Sequence, residues 1–266
     1  MNSMVLSLSA LASLLPATLL PFVRHAARAD AVFWLLLGAA LAGTSALSIV
    51  SLGAQWQTGL AAALWLAVAA ALGLFGLLVI LSREAARLAP LLLPYLLILG
   101  ALATAFGLLA GPEPLAARLD GWLIAHIAVS VTTYALCTLA AVASSAVFVQ
   151  ERALKRRAPN AFTRMLPSVA DAERLEVRLL GAGEAILGLG IATGISELYV
   201  TSGALFTFSH KTLFSLLAFL VIGGLLLLHY RSGLRGRRAA RIVLVGYLLL
   251  TLAYLGVKFV TDILLA

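Results

Sequence analysis

The chain has 266 residues, of which 62% are hydrophobic and only 11% are charged, and its mean hydropathy is +1.06. Soluble domains carry about 25% charged residues, so this composition leaves too few charges to cover a water-soluble globule and excludes a soluble enzyme. The net charge of +8 would indicate a nucleic-acid partner in a soluble protein, but in a membrane protein the placement of positive charge indicates orientation instead.

Eight apolar runs, separated by charged or turn-forming residues, follow one another along the chain. A spanning helix needs about 20 apolar residues, and runs of this length are helical because only helices and closed barrels satisfy the backbone in lipid. The predicted spans are residues 2–23, 31–52, 59–81, 90–110, 121–149, 179–200, 209–230 and 239–264. The predicted fold is an all-α polytopic membrane bundle of eight transmembrane helices, or of seven if the first run, with Pro16 and Pro21, is re-entrant.

The loops between these runs predict the orientation of the bundle. With the first loop on the inside, 16 of the 19 Lys and Arg residues fall in inside loops, and only Arg118, Lys211 and Lys258 fall outside. This asymmetry follows the positive-inside rule, so we expect both termini to lie outside. The first charge, Arg24, follows the first apolar run instead of preceding it, which favours an uncleaved span over a signal peptide.

We expect a single integral membrane domain over residues 1–266, with its longest polar stretch, residues 150–178, as an inside loop. Pro167-Ser168 followed by Asp171 is typical of a helix start, which predicts a short helix on the inner membrane surface. Cys137 is the single cysteine of the chain, so it can form neither an intramolecular disulfide nor a thiolate metal cluster.

Three histidines are candidates for function, because polar residues at membrane depth are costly and usually serve a purpose. His126 begins the fifth span and His210 begins the seventh, so both are predicted near the outer face. His229 follows His210 by 19 residues, which is about 28 Å along a helix, and therefore lies at the inner face. Only His126 and His210 are placed to share one ligand. The remaining histidine, His25, is expected to be solvated.

Two imidazoles in an apolar cleft are suited to haem, because they can take both axial positions of the iron while apolar helices cover the porphyrin. Lys211, Lys258 and Arg118 are the cations that would meet the propionates. The alternative is that these lysines simply extend to the membrane interface.

The fifth span also carries a stripe of residues at intervals of four, which places them on one helical face. The stripe comprises Trp122, His126, Ser130 and Tyr134. It is predicted either to line a ligand cleft or to pack in the core. Glu184, the deep acid of the sixth span, is predicted either to pair with an inner arginine or with His229, or to serve as a proton relay. The sequence contains no paired carboxylates, serine triad or phosphate-binding loop, so we do not expect an enzyme.

Several of these segments resemble the cytochrome c assembly family of membrane proteins, of the CcsA/CcmC type. The run Gly121-Trp122-Leu123-Ile124-Ala125-His126 resembles the W-x-x-x-H segment of that family, and Leu228-His229-Tyr230-Arg231 resembles its LH-x-R helix end. Further matches are Leu166-Pro167, Leu175-Glu176, Gly183 to Gly194, Lys211, Arg235-Gly236 and Ala253-Tyr254-Leu255-Gly256. The resemblance covers about residues 120–260.

The departures from the family pattern are equally specific. The tryptophan-rich W-D-P-K-E signature reads Phe206-Thr207-Phe208-Ser209-His210-Lys211-Thr212 here, and the outer histidine that follows the last span in the family has no counterpart. The chain therefore resembles the YpjD/HemX-like branch more than a haem–cytochrome c ligase. The resemblance implies that His126 is an outer haem ligand, that His210 replaces the missing outer histidine, and that His229 contacts haem from the inner side.

The sequence thus predicts a haem-handling protein of the bacterial inner membrane that binds b-type haem non-covalently. The predicted iron ligands are His126 and His210, and the further predicted haem contacts are Trp122, Lys211, Lys258 and His229. The expected partners are haem, the lipid bilayer and another membrane protein of haem delivery or respiratory assembly, without nucleic acid. Two alternatives stay open: a non-haem accessory or regulatory protein of haem biosynthesis or respiratory complex assembly, and a permease, although the inverted repeats common in permeases are not evident.

Overall fold

The computed structural model describes residues 3–54, 59–109, 121–203 and 209–260, and within them the regular structure is helical, without strands. Eight helices are long and apolar enough to cross a membrane, which confirms the predicted all-α bundle. In chain order the helices are α1 (Ser3–Arg24), α2 (Ala31–Ala54), α3 (Leu60–Leu81), α4 (Ala89–Leu109), α5 (Gly121–Lys155), the short α6 (Ala161–Met165), α7 (Val169–Ser202), α8 (His210–Ser232) and α9 (Gly236–Phe259). The orientation and the single domain stay predictions.

The continuity of α1 distinguishes the eight-span prediction from the seven-span prediction. Pro16 and Pro21 both lie inside α1, which continues from Ser3 to Arg24 without a break. Proline removes one backbone hydrogen bond of a helix, but side-chain hydroxyls and neighbouring helices compensate for this in membrane helices. Thr18, between the two prolines, donates to the Leu14 carbonyl at 2.9 Å. The first apolar run is therefore one continuous helix and not a re-entrant segment.

The connection between α5 and α7 corrects one prediction. Ser168 does begin a helix, since its hydroxyl accepts from the backbone N–H of Asp171 at 3.2 Å. That helix is α7 itself, which runs on into the sixth span, so the separate surface helix predicted from Ser168 is wrong. The charged residues in the first turns of α7 end the apolar pattern but not the helix. A short helix does occur in the predicted loop, but as α6, where Asn160 and Thr163 form a capping box.

The long helices form two groups that are joined by α5. In the first group, α1 packs on α2 and α4, and α3 packs on the same two helices. In the second group, α5 packs on α7 and α9, and α8 also packs on α7 and α9. The central helix α5 additionally contacts α3 and α4 and is the most buried of the eight spans. Its small side chains allow this crowding, and several are fully buried: Ala135, Ala140, Ala143 and Ala146.

Glycines of α7 bring α7 and α5 into close contact. A β-carbon at Gly183 would lie 3.1 Å from Sγ of Cys137, and one at Gly194 would lie 3.3 Å from Cε1 of His126. The two glycines are eleven residues apart, as are Cys137 and His126, so the two helices pass each other in antiparallel register. The face of α7 that meets α5 is therefore free of side chains at both of these levels.

Candidate functional site

A cavity of about 330 Å³ lies between α5, α7, α8 and α9. Small-molecule sites have volumes of about 300–1,000 Å³, with mostly apolar walls and a few convergent polar groups. The apolar wall comes mainly from α7 and α9, with one leucine from α8: Leu187, Ile191, Ile195, Leu198, Leu216, Leu250 and Ala253. Most of the polar groups come from α5 and from the first turns of α8: His126, Ser130, Thr133, Tyr134, Lys211, Thr212 and Ser215. The cavity therefore has the composition of a ligand site.

His126 is the one histidine that lines this cavity among the residues the structure describes, and Thr193 of α7 orients it. Nδ1 of His126 lies 2.9 Å from Oγ1 of Thr193, and that hydroxyl donates to the carbonyl of Gly190 at 3.0 Å. A hydroxyl has a single proton, so when Thr193 donates to Gly190 it accepts from His126, and Nδ1 is then the nitrogen that carries the proton of a neutral imidazole. Nε2 then keeps its lone pair, which is the arrangement of metal-bound histidines whose other nitrogen donates to a neighbour.

Two further contacts hold this end of α5 against α7. Nε1 of Trp122 donates to the backbone carbonyl of Thr193 at 3.3 Å, while the indole itself is 45% exposed. The imidazole of His126 packs directly on Gly194, where a β-carbon would be in tight contact with the ring. The position of Nε2 is therefore set by packing as well as by the hydrogen bond to Thr193.

A buried hydroxyl in the cavity lacks a partner. The side chain of Thr133 is only 3% exposed and lines the cavity, but its Oγ1 accepts or donates no hydrogen bond within the described parts of the chain. Buried polar atoms are nearly always hydrogen-bonded, so such an atom indicates a water, ion or ligand that completes the site. This unpartnered hydroxyl is an independent indication that the cavity takes an occupant with a polar part.

Tyrosine side chains form the wall of the cavity at the level of Tyr134, which lies two turns after His126 on α5. Tyr134 and Tyr254 both line the cavity, with ring centroids 5.5 Å apart. The hydroxyl of Tyr247 donates to Tyr134 at 3.0 Å and also forms hydrogen bonds with Thr138 and with Tyr95 of α4. This network connects the cavity to the first group of helices. Tyr254 itself lies in a π turn of α9, Leu252–Gly256, and π turns occur frequently at functional sites.

The structure brings together only some of the predicted site residues. His126 and Lys211 line the same cavity, as do Ser130 and Tyr134 of the predicted stripe. His210 is exposed at the first position of α8 and does not line the cavity. The next residue along α8, Lys211, lines it instead, so the structure does not bring the two predicted ligands together at the cavity.

Within the described parts of the chain, the other predicted residues do not line the cavity. Lys258 is in the last turn of α9, and Arg118 falls outside the described residues. His229 lies at the opposite end of α8, where its Nδ1 donates to the carbonyl of Leu234 at 3.0 Å. The predicted ion pair of Glu184 is wrong within the described parts of the chain: Oε1 packs on Gly223, and Oε2 is buried without a hydrogen-bond partner.

Two residues that sequence reasoning missed are Thr193 and Thr133. A threonine between glycines on a membrane helix is a weak sequence signal of close helix contact for Thr193, and the sequence offers no signal for Thr133. Among the described residues, no group of three or more His, Cys, Asp or Glu side chains could hold a bare metal ion.

Comparison with known proteins gives matches over the same helices. The sequence model of the family described as "Cytochrome C assembly protein" matches residues 56–265, a range that contains every residue lining the cavity. An uncharacterized 28.8 kDa protein of Azospirillum brasilense is 52% identical over 268 residues, which is 99% of each chain.

Two other relatives match about half of this chain. Inner membrane protein YpjD of Escherichia coli K12 is 29% identical over 143 residues, which is 53% of this chain and 52% of its own. Cytochrome c biogenesis protein CcsA of Chlamydomonas reinhardtii is 27% identical over 141 residues, which is 53% of this chain and 39% of its own. No solved structure matches the chain.

Proposed function

Because the chain belongs to the cytochrome c assembly protein family, we propose that it handles haem in the bacterial inner membrane. Its cavity between α5, α7, α8 and α9 would bind b-type haem, iron protoporphyrin IX, without a covalent bond. The inner-membrane location is inferred from the relative YpjD, which is named an inner membrane protein, and from the eight apolar helices of this chain. The proposed role is binding and transfer of a cofactor and not catalysis.

The observation that carries this proposal is the orientation of His126. Its Nδ1 is hydrogen-bonded to Thr193, its ring packs on Gly194, and the residue lines a mostly apolar cavity, so Nε2 is the nitrogen that would bind the iron. Haem iron takes axial ligands of this kind, and the bound group would supply the redox and ligand-binding chemistry of iron. The Leu and Ile side chains of α7 would cover the macrocycle and exclude water.

The polar groups of the cavity fit the carboxylate edge of the same ligand. Lys211 supplies a positive charge at the first turn of α8, and Thr133 supplies a buried hydroxyl without a partner. A cation and a donor of this kind are suited to a propionate. Trp122 would hold the outer end of α5 through Thr193, and Lys258 would add positive charge at the same predicted face.

His210 enters the proposal as the second axial ligand. It directly precedes the cavity-lining Lys211 on α8, and its exposed imidazole would have to turn inward to reach the iron. His229, at the other end of α8, would contact haem that enters from the predicted inner face. A ligand set with His126 alone would give a five-coordinate iron, and the visible spectrum distinguishes this state from bis-histidine ligation.

The test uses the full chain purified in detergent from haem-replete cells and then titrated with haem. We expect the wild-type protein to carry haem with a Soret band, and His126→Ala to lose it. His25→Ala removes a histidine far from this cavity and serves as the matched control, which should keep the band. A colourless wild-type protein that also fails to bind added haem would overturn the proposal and favour a non-haem accessory protein.

A further inference from the structure

A second cavity, of about 870 Å³, lies at the opposite end of the bundle from His126. Three connections converge on it: the turn between α1 and α2, the 3₁₀ turn Arg83–Leu88 between α3 and α4, and the end of α6. All three lie at the end of the bundle that the positive-inside rule predicts to be cytoplasmic. The cavity is thus built from parts of the chain that are far apart in sequence.

The lining of this cavity is strongly basic. Four arginines line it, Arg28, Arg83, Arg87 and Arg164, together with His25, against the single carboxylate of Glu84. None of these arginines forms an ion pair with a carboxylate in the described ranges. Arg87 instead donates to the carbonyl of Arg164 at 2.8 Å, which holds α6 over the cavity. The positive charge gathered here is therefore not neutralised by the protein.

Asp30, which follows Arg28 in the turn between α1 and α2, is an acid that already has partners. Its carboxylate accepts from the backbone N–H of Phe33 at 2.9 Å and pairs with the guanidinium of Arg24. The hydrogen bond from Phe33 and then the interactions with Arg24 hold the pKa of Asp30 below its usual value. Asp30 stays ionised, but its negative charge is used in capping α2 and in pairing with Arg24. It therefore does not neutralise the positive charge of the arginines that line the cavity.

One side of the cavity is apolar and lies where two of the candidate membrane spans, α2 and α3, begin and end. Trp34 stands in the first turn of α2, and Ile80 stands at the last turn of α3 with 68% of its side chain exposed. Tryptophan is enriched at the membrane–water interface. A ligand held here would meet arginines at its polar end and hydrocarbon beside it.

We propose that this cavity binds the phosphate group of an anionic phospholipid from the adjacent leaflet. Arginine guanidinium groups bind phosphate oxygens through paired hydrogen bonds, and basic pockets between membrane helices on the cytoplasmic side recognise anionic headgroups. The acyl chains of the lipid would lie along Ile80 and the neighbouring exposed Leu81. Inorganic phosphate would form the same contacts with the arginines as the lipid headgroup. It has no acyl chain, however, so it would gain no binding energy from the apolar side of the cavity.

The experiment measures bound lipid through the fluorescence of Trp34. The full chain, with its other three tryptophans replaced by phenylalanine, is reconstituted in phosphatidylcholine vesicles that contain a minority of brominated lipid. The bromines are placed near the headgroup end of the acyl chains, on either phosphatidylglycerol or phosphatidylcholine. We expect stronger quenching by the phosphatidylglycerol at the same mole fraction, since this lipid should be concentrated at the cavity.

Charge substitutions then locate the effect. Arg28→Gln combined with Arg83→Gln should lower the relative affinity for phosphatidylglycerol at least tenfold for each arginine, since a hydrogen bond to a charged group contributes about 1.5–3 kcal/mol and a tenfold change is about 1.4 kcal/mol. Arg231→Gln combined with Arg238→Gln removes the same charge from the same end of the bundle, outside the cavity, and should leave the preference nearly intact. Arg164→Gln provides a second variant on a different connection, with a smaller loss expected.

The outcomes separate the sources of phosphate. Loss of the preference on adding inorganic phosphate, but not chloride of equal ionic strength, would support phosphate recognition with a soluble source. A preference unaffected by inorganic phosphate would support the lipid headgroup. Equal quenching by the two brominated lipids, or an equal loss in both double variants, would overturn the proposal, because the arginines would then act only through the general surface potential.

Discussion

Replacing Thr193 with valine tests how the candidate haem ligand is held. Valine keeps the branched shape of threonine but removes the hydroxyl that accepts from Nδ1 of His126 at 2.9 Å and donates to Gly190 at 3.0 Å. Without that acceptor, the neutral imidazole is no longer restricted to the tautomer with Nε2 unprotonated. We therefore expect haem to bind more weakly, while the fold stays intact.

The magnitude follows from these two contacts. A single neutral hydrogen bond stabilises a protein by about 1 kcal/mol, and partners that orient metal-bound histidines are worth about 10- to 100-fold in affinity. Because each tenfold change is about 1.4 kcal/mol, we expect Thr193→Val to weaken haem binding by about 1.4–2.8 kcal/mol. The assay is a titration of the haem-free protein with haem, followed at the Soret band.

Two control variants make this measurement specific. Thr193→Ser keeps the hydroxyl and should stay close to wild-type affinity. Ser196→Ala removes an exposed hydroxyl from the same helix, one that donates only to the backbone of Ala192, and should have no effect. If Thr193→Val bound haem like the wild type while His126→Ala did not, the orienting role of Thr193 would be refuted.

Three other substitutions are predicted from the same contacts. Gly194→Val should displace the ring of His126 and reduce haem affinity in a titration, since even one β-carbon would lie 3.3 Å from Cε1. Tyr247→Phe removes the hydroxyl that three neighbours share, and should lower the free energy of unfolding by about 1–3 kcal/mol, measured by thermal unfolding in detergent. Thr133→Val should leave the haem-free protein as stable as the wild type or more stable, because the hydroxyl is unpartnered, but should reduce haem affinity.

Each of these substitutions has a control or a contradicting outcome. Gly181→Ala adds a β-carbon to the same helix in open space, at a position that does not line the cavity, and should leave haem affinity unchanged. Tyr199→Phe removes an exposed hydroxyl and should leave the unfolding temperature unchanged. If Thr133→Val lowered the unfolding temperature of the haem-free protein, the Thr133 hydroxyl would already have a partner in that state. The hydroxyl would then be no indication of a ligand.

The helices could be predicted from the sequence because one local property determines them. Apolar runs bounded by charge gave α2, α3 and α4 to within a few residues. The same rule placed the start of the sixth span ten residues too late, at residue 179 instead of Val169. Charge marks where a chain leaves the apolar part of the membrane, whereas a helix ends only where its backbone hydrogen bonds end.

The site could be predicted only in part, because it depends on how helices rotate and pair. His126 and Tyr134 were placed together by the helical repeat of a single element. His210 was not, since one position along a helix changes the direction of a side chain by about 100°, and Lys211 lines the cavity instead. Contacts such as Tyr95 with Tyr247 join residues 152 positions apart, and no local pattern encodes them.

The ligand role of His126 is tested most directly by replacing its side chain and then supplying it from solution. In His126→Gly, we expect the absorption spectrum of the haem-loaded protein to lose the wild-type Soret band and to regain it when free imidazole is added, because the imidazole fills the space that the side chain has left. Retention of the wild-type spectrum by His126→Gly in the absence of imidazole would contradict the account.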